Sequence, residues 1–335
     1  MQQYIVRRAF LNLVVIFLVA TMVFGALRVD SDNVVRKRAQ GCTLDTYDAC
    51  VVAAREELGL DRSLPVQYGD FMWKLVRLDL GDSFFNKAPV LDQIKDRAGP
   101  SIELGLLQII VALAVALPIG IVSAIRQDSP IDYILRFVAI ALLGIPVFVL
   151  AVFTILATAR YAGDIGLGFL NDWLGPHSTW VDFFGDAEDP WPGSMMENMK
   201  RMTGPALIGG LGTGAIIMRF LRSQMLEVLR QDYVRTAWAK GLRERVVVFR
   251  HALKNALIPV LTVIGLILGG IVSGNVILET LYAIPGIGFY AVSSIVQGDY
   301  PVVQGIVLVV AVTLVFVNLM IDVAYAWLDP RIRYG

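Results

Sequence analysis

Cysteine and histidine are nearly absent from this chain, with two of each in 335 residues. That is too few for a zinc framework or a multi-histidine metal site. No Gly-x4-Gly-Lys-Ser/Thr run occurs, so the chain has no P-loop with which to cradle ATP phosphates. Charge is scarce as well: charged residues make up 17%, and the formal net charge is +0, which gives no overall basic excess for nucleic acid. No nucleophile–base constellation is visible, so there is no case for an enzyme. Apolar residues are abundant instead, at 56%. The first expectation is a membrane protein.

A hydrocarbon core about 30 Å thick needs roughly 20 apolar helical residues to cross it. Six segments meet that need, at about residues 10–27, 102–125, 131–159, 204–220, 257–277 and 302–327. Pro118 and Pro146 fall inside the second and third, where bilayer spans tolerate proline. A cleaved signal peptide is the competing reading of the first segment. It fits less well, because the run is long, no Ala-x-Ala site follows, and five more spans come after it.

Basic residues in short loops set the orientation. Residues 219–256 carry nine Lys/Arg against three Asp/Glu, whereas residues 160–203 carry three against seven, and residues 278–301 carry no Lys or Arg. Arg7, Arg8, the Arg126 link, and Arg331 with Arg333 fall on the same side as the basic loop. Both termini are therefore expected inside. Residues 28–100 hold eleven Lys/Arg and would lie outside, but loops beyond about 60 residues translocate largely regardless of charge. The expected fold is all-α: a polytopic membrane bundle of six transmembrane helices, N-in and C-in. Its divisions are an N-terminal segment and first span (1–27), an outer-loop subdomain (28–100), a core of the remaining spans (101–327, with a polar cytoplasmic loop at 221–256) and a tail (328–335). Cys42 and Cys50 both lie in the outer loop. That oxidising setting favours a disulfide, with two unpaired thiols as the alternative.

The run Gly209-Gly210-Leu211-Gly212-Thr213-Gly214 lies in an apolar segment and lacks the lysine of a nucleotide loop. It reads as small residues at helix–helix contacts, as do Gly265, Gly269, Gly270 and Gly274. Glu103, Gln108, Arg136, Asn318 and Asp322 lie in or near spans and are candidates for a transport path. Glu103, Arg136 and Asp322 fall near expected span ends, where a long side chain reaches water cheaply. His177 and His251 fall in opposite compartments on this topology.

The stretch DYVRTAWAKGLRERVVVFRHALKNALIP, from Asp232 to Pro259, is too polar to span and too patterned for a loose loop. Tyr233 to Lys240 reads as a short helix closed by Gly241, the residue type favoured just past a helix end. Phe249, Leu253, Ala256 and Leu257 recur at helical spacing, with Arg243, Arg250 and Lys254 on another face. A helix, a glycine turn and an amphipathic helix would lie across the inner face. A basic patch on lipid, a plain topology signal and a docking element for a cytoplasmic protein all compete here. Only the third accounts for the ordered pattern.

Arg235-Thr236-Ala237, three spacers and Gly241 resemble the "EAA" loop of ABC-importer permeases. Arg and Thr stand where that motif has Glu and Ala, and Ile258-Pro259 lies farther from the glycine than in the general pattern. Both departures resemble the peptide-permease branch, whose version reads close to YVRTA-x-AKG followed by RHALxNALIP. Leu58-Gly-Leu-Asp, Leu64-Pro-Val-Gln-Tyr68, Asp79-Leu-Gly-Asp-Ser83, Ala283-Ile-Pro-Gly-Ile-Gly-Phe289, Asp299-Tyr-Pro-Val-Val-Gln304 and Leu328-Asp-Pro-Arg-Ile332 agree with the same branch. The chain thus resembles the B-type permease subunit of dipeptide/oligopeptide importers along nearly its whole length. Residues 29–41 depart, lacking that branch's Pro-Gly-Asp-Pro-like turn.

The resemblance implies half of a translocation pathway working by alternating access, with no cofactor in this chain. ATP and Mg would be bound by two partner ATPase subunits or a fused pair. A homologous C-type permease, an extracytoplasmic solute-binding protein and the lipid bilayer complete the implied partners. Tyr233, Arg235, Thr236, Ala237, Lys240, Gly241 and Leu242 would form the ATPase-coupling element, with Ala237 and Gly241 at its small positions. Oligosaccharide, nickel chelate or another small solute is the alternative cargo within the family. A stand-alone channel or secondary transporter is the alternative class; it predicts internal repeats and midplane charges, and neither is clear here.

Overall fold

The structure, a computed structural model, describes residues 2–29, 32, 35–36, 39, 42, 47–57, 59–161, 169–175, 193–271 and 274–328. His177, most of residues 30–41, the tail with Arg331 and Arg333, and the side chains of Gly269 and Asp322 lie outside the described residues. Among the described residues the regular structure is helical, apart from one isolated bridge between Asp82 and Pro89. Among the described residues, four stretches are long and apolar enough to cross a membrane: Val90–Ile125, Asn198–Leu229, Glu244–Leu268 and Tyr300–Met320. A fifth is obtained if the bent pair Pro130–Gly144 and Val147–Tyr161 is one span.

The chain forms two compact units. The first comprises Met1–Ala98 and Ile287–Gly335. In it, α1 (Gln2–Val29), with an apolar run at Phe10–Ala26, packs along α14 (Tyr300–Leu328). Further along are the short helices α2 (Tyr47–Glu57) and α3 (Leu64–Val76). Helix α3 rests on α1 through Phe24, whose ring meets those of Tyr68 at 5.2 Å and Phe71 at 5.4 Å. Cys42 and Cys50 are joined by a disulfide at the start of this region. Two of the motif stretches meet in this unit. Asp299, buried just before α14, accepts hydrogen bonds from the Ser83 hydroxyl and from the Phe84 N–H at 3.1 Å. Its apolar core joins Val90 and Ile94 to Ile287, Val302 and Ile306.

The second unit is Gly99–Gly286. Its struts are α4 (Val90–Ile125), which begins in the first unit, and α8 (Gly193–Leu229). They approach closely where α4 meets glycine or presents it. A Cβ on Gly214 would stand 3.1 Å from the Ala112 carbonyl oxygen, and one on Gly120 would stand 3.2 Å from that of Met218. Gly209 and Gly210 face Gln108 and Val111 in the same contact. Gly270 differs from expectation, since the space around it is open.

The third expected span is not one helix. Pro146 lies between α5 (Pro130–Gly144) and α6 (Val147–Tyr161), whose axes differ by 97°. Proline disfavours the helical conformation in the residue before it, and Ile145 is extended, at φ -91 and ψ 120. Pro118, by contrast, is accommodated inside α4. The bend separates two apolar cores. Helix α5 supplies Ala139 to a core with Ala112, Leu221, Met225, Val248 and Val260. Helix α6 supplies Ala151 to another with Leu104, Met202, Leu278 and Ile284. A short α7 (Phe169–Leu174) packs on α6 and α8.

Candidate functional site

Helix α8 ends at Leu229, and only Arg230 and Gln231 separate it from α9 (Asp232–Ala239). The end of α9 is a Schellman turn. The Gly241 N–H donates to the Trp238 carbonyl at 2.9 Å, and the Leu242 N–H donates to that of Ala237 at 3.4 Å. That geometry requires the left-handed backbone, and Gly241 has φ 76. The chain then re-enters helix as α10 (Glu244–Val246), a π-helical segment (Val247–Leu253) and α11 (Lys254–Ile271), without a break. The expected amphipathic helix is therefore continuous with the following apolar stretch.

The residues of this element divide into two sets. Val234 and Ala237 face inward and form a small core with Val247, packed against Val228 and Leu229. Ala237, at 6% exposure, lies beneath the surface, where its small side chain lets α9 approach the π segment. Tyr233, Arg235, Thr236, Lys240, Gly241 and Leu242 are exposed. The Tyr233 hydroxyl accepts from the Asn255 side-chain amide at 2.8 Å, tying α9 to α11. Arg235 projects outward; its nearest acid is Asp232, one turn away at 3.7 Å and itself exposed. Thr236 donates its hydroxyl to the Asp232 carbonyl at 2.9 Å.

Apolar side chains share the exposed set. Trp238 is 44% exposed and Phe249 56%, alongside Tyr233, Leu242 and Val246. Phe249 had been expected on the buried stripe. Of the expected stripe, Ala256 is buried and Leu253 and Leu257 pack against the same core, together with Val248, Ala252 and Val260; Phe249 alone departs. It lies in the π segment, where i→i+5 bonding widens the turn and changes the direction in which side chains point. Arg243, Arg250 and Lys254 are exposed, as their spacing predicts.

Two polar clusters lie elsewhere in the same unit, Gly99–Gly286, and most of their members carry no signal in the sequence. Asp132, fully buried, accepts from Arg222 Nε at 2.9 Å and Arg222 Nη2 at 2.8 Å. Ser123 donates its hydroxyl and Asp128 its backbone N–H to the same carboxylate. Arg136 joins at 3.3 Å and lies over the Tyr133 ring. Ser129 caps α5 by accepting from the Asp132 N–H at 3.3 Å. A Ser three residues before an acid ahead of an apolar run is the signal that could have marked Asp132.

The second cluster gathers α4, α8 and the segment around α12 (Val276–Leu281). Glu279, at 0% exposure, accepts from the Ser101 hydroxyl at 2.8 Å and the Asn275 N–H at 3.1 Å. Gly286 abuts both Glu279 and Ser101, leaving no room for a Cβ. Glu103 accepts from the Asn198 amide at 2.9 and 3.0 Å, joining α4 to α8. Asn275 donates to Gln108 at 3.5 Å. Burial pushes the Tyr282 phenol well above its ordinary pKa, so it stays a donor to the Leu174 carbonyl at 3.3 Å.

Long apolar helices, buried ionic clusters and an exposed helix–glycine–helix element fit a polytopic helical membrane protein. The family described as binding-protein-dependent transport system inner membrane component matches residues 116–334, and its N-terminal companion matches residues 1–105. The chain belongs to this family and is a multi-pass membrane component of such a transport system. It is 38% identical over 286 residues to the dipeptide transport system permease protein DppB of Alkalihalophilus pseudofirmus, covering 83% of this chain and 84% of that protein. It is 36% identical over 287 residues to the protein of the same name from Escherichia coli, covering 83% and 84%.

Proposed function

We propose that this chain is one transmembrane half of an ATP-driven importer of di- or oligopeptides. Six spans, with both termini inside, would comprise α1, α4, the α5–α6 pair, α8, α10–α11 with the π segment, and α14. Residues 28–100 would form an extracytoplasmic elaboration. A homologous C-type permease would supply the other half of the path, and a solute-binding protein would deliver the cargo from outside. ATP and Mg would be handled by two ATPase subunits or a fused pair.

The observation that carries this reading is the exposed apolar and basic face around Gly241. Trp238 and Phe249 stand about half exposed on a loop whose inner side is fully packed. Exposed aromatic and arginine residues on a rigid platform are typical anchors for a protein partner. Tyr233, Arg235, Thr236, Lys240, Gly241 and Leu242 would meet an ATPase groove, and Ala237 would brace the platform from beneath. ATP-driven closure of the ATPases would then favour one of two packings of the bundle.

The test is reconstitution of this chain with its neighbouring subunits in proteoliposomes, with radiolabelled alanyl-alanine and tetra-alanine as probes. ATP-dependent uptake that needs the binding protein is expected. Uptake of neither peptide by an assembled, ATP-hydrolysing complex would reject the cargo class, and uptake without any ATPase would reject the importer reading.

A further inference from the structure

Asp132 and Arg222 lie apart from the exposed coupling face, yet their geometry bears on how that face could act. The two Arg222 nitrogens each donate to a different carboxylate oxygen, at 2.9 and 2.8 Å. A single hydrogen bond lets two helices pivot about it. A planar two-point fork fixes both separation and rotation. The Asp132 side chain is 0% exposed and that of Arg222 16%. Burying such a pair costs desolvation and contributes little net stability, so its better-attested use is to specify one arrangement. Through Ser123 and the Asp128 N–H, the same carboxylate also holds the end of α4 and the turn that follows it. Arg222 sits in the final turns of α8, which leads into α9 through two residues. On its other side α8 packs along α4, with backbone contact at Gly120 and Gly214.

We propose that Arg222 and Asp132 are positioning residues for transport. Their fork makes α5 and the end of α4 travel with α8 when α9 is displaced. Movement imposed on the coupling helix is thereby delivered to the bundle instead of being absorbed at the α5–α8 contact. This rests on the permease reading above. Without the fork, the ATPases still dock on α9 and still turn over, but less of each cycle reaches the substrate path.

The experiment uses the whole complex in proteoliposomes with its binding protein, and it reads alanyl-alanine imported per phosphate released. Arg222→Gln and Asp132→Asn are each expected to lower that ratio about ten-fold, with ATP hydrolysis retained and the double variant no worse than the poorer single one. Arg222→Lys keeps the charge but loses the planar fork, so it too lowers the ratio. It is also the mild variant that decides the matter if the others fail to assemble. A merely structural pair would reduce the yield and melting temperature of the complex while leaving the ratio at the wild-type value. That result overturns the proposal, and so do losses that multiply in the double variant. A wild-type complex that hydrolyses ATP without importing either peptide overturns the permease reading instead, and the proposal falls with it.

Discussion

Gly241 offers the sharpest test of the coupling turn, because backbone and contact effects separate there. Its φ of 76 lies in the left-handed region, and no atom stands within 4 Å of where a Cβ would be built. Alanine therefore meets no clash, and its cost is conformational alone, about 1–2 kcal/mol. Asparagine tolerates this region, so its cost is smaller. A valine, branched at Cβ, costs more than alanine. Each 1.4 kcal/mol is about a factor of ten in an equilibrium. The Schellman turn should thus be depopulated about five- to thirty-fold relative to wild type in Gly241→Ala. We expect ATP-driven uptake to follow the order wild type, Asn, Ala, Val. Gly241→Glu adds bulk and charge at the docking face, so it should also lose ATPase in a pull-down. The assay is uptake in proteoliposomes, normalised to assembled complex. If asparagine proves worse than alanine, the backbone argument is wrong. Unchanged uptake in Gly241→Glu would remove the docking role from this turn.

Trp238→Ala and Phe249→Ala should each weaken ATPase capture, since burying such a side chain contributes about 1.5–3 kcal/mol; capture equal to wild type would show that this face stays in solvent. Glu279→Ala removes the acceptor of hydrogen bonds from the Ser101 hydroxyl and the Asn275 N–H, at about 0.5–1.5 kcal/mol for each bond lost. Its melting temperature in detergent should fall, and an unchanged value refutes the assigned contacts. Gly286→Ala should lower the same melting temperature, because its methyl group would collide with the Glu279 and Ser101 oxygens. Mass spectrometry of native membranes with and without reductant should find Cys42 and Cys50 bridged; two free thiols would sink the disulfide.

Much of the scaffold is legible in the sequence because the bilayer imposes a length and an apolar composition on each span. The helix-closing role of Gly241 is legible too, because few residues accept its backbone. Other features depend on contacts that periodicity does not encode. Pro146 and Pro118 look alike in sequence, yet one ends a helix and the other sits within one. Phe249, assigned inward by a 3.6-residue period, points outward from the π segment, while Leu253, Ala256 and Leu257 pack inward as that period predicts. Arg222 reads as one more basic residue of an inward loop until Asp132, ninety positions earlier, is found against it. Ala237 fits a motif position equally well as a contact or as a brace, and only its burial against Val247 distinguishes the two.

The bend at Pro146 has a mechanical consequence. A straight span transmits any push along its whole length, as a rod does. Here the stretch from Pro130 to Tyr161 works as a crank with two arms. One arm belongs to the core that holds Met225 and Val248, next to the exposed helix–glycine–helix element. The other belongs to the core that holds Leu278 and Ile284, beside Glu279. With the joint at Ile145 already extended, each arm can keep its own packing while the angle between them changes. A stroke arriving at the first core can thus be turned through the elbow before it reaches the second.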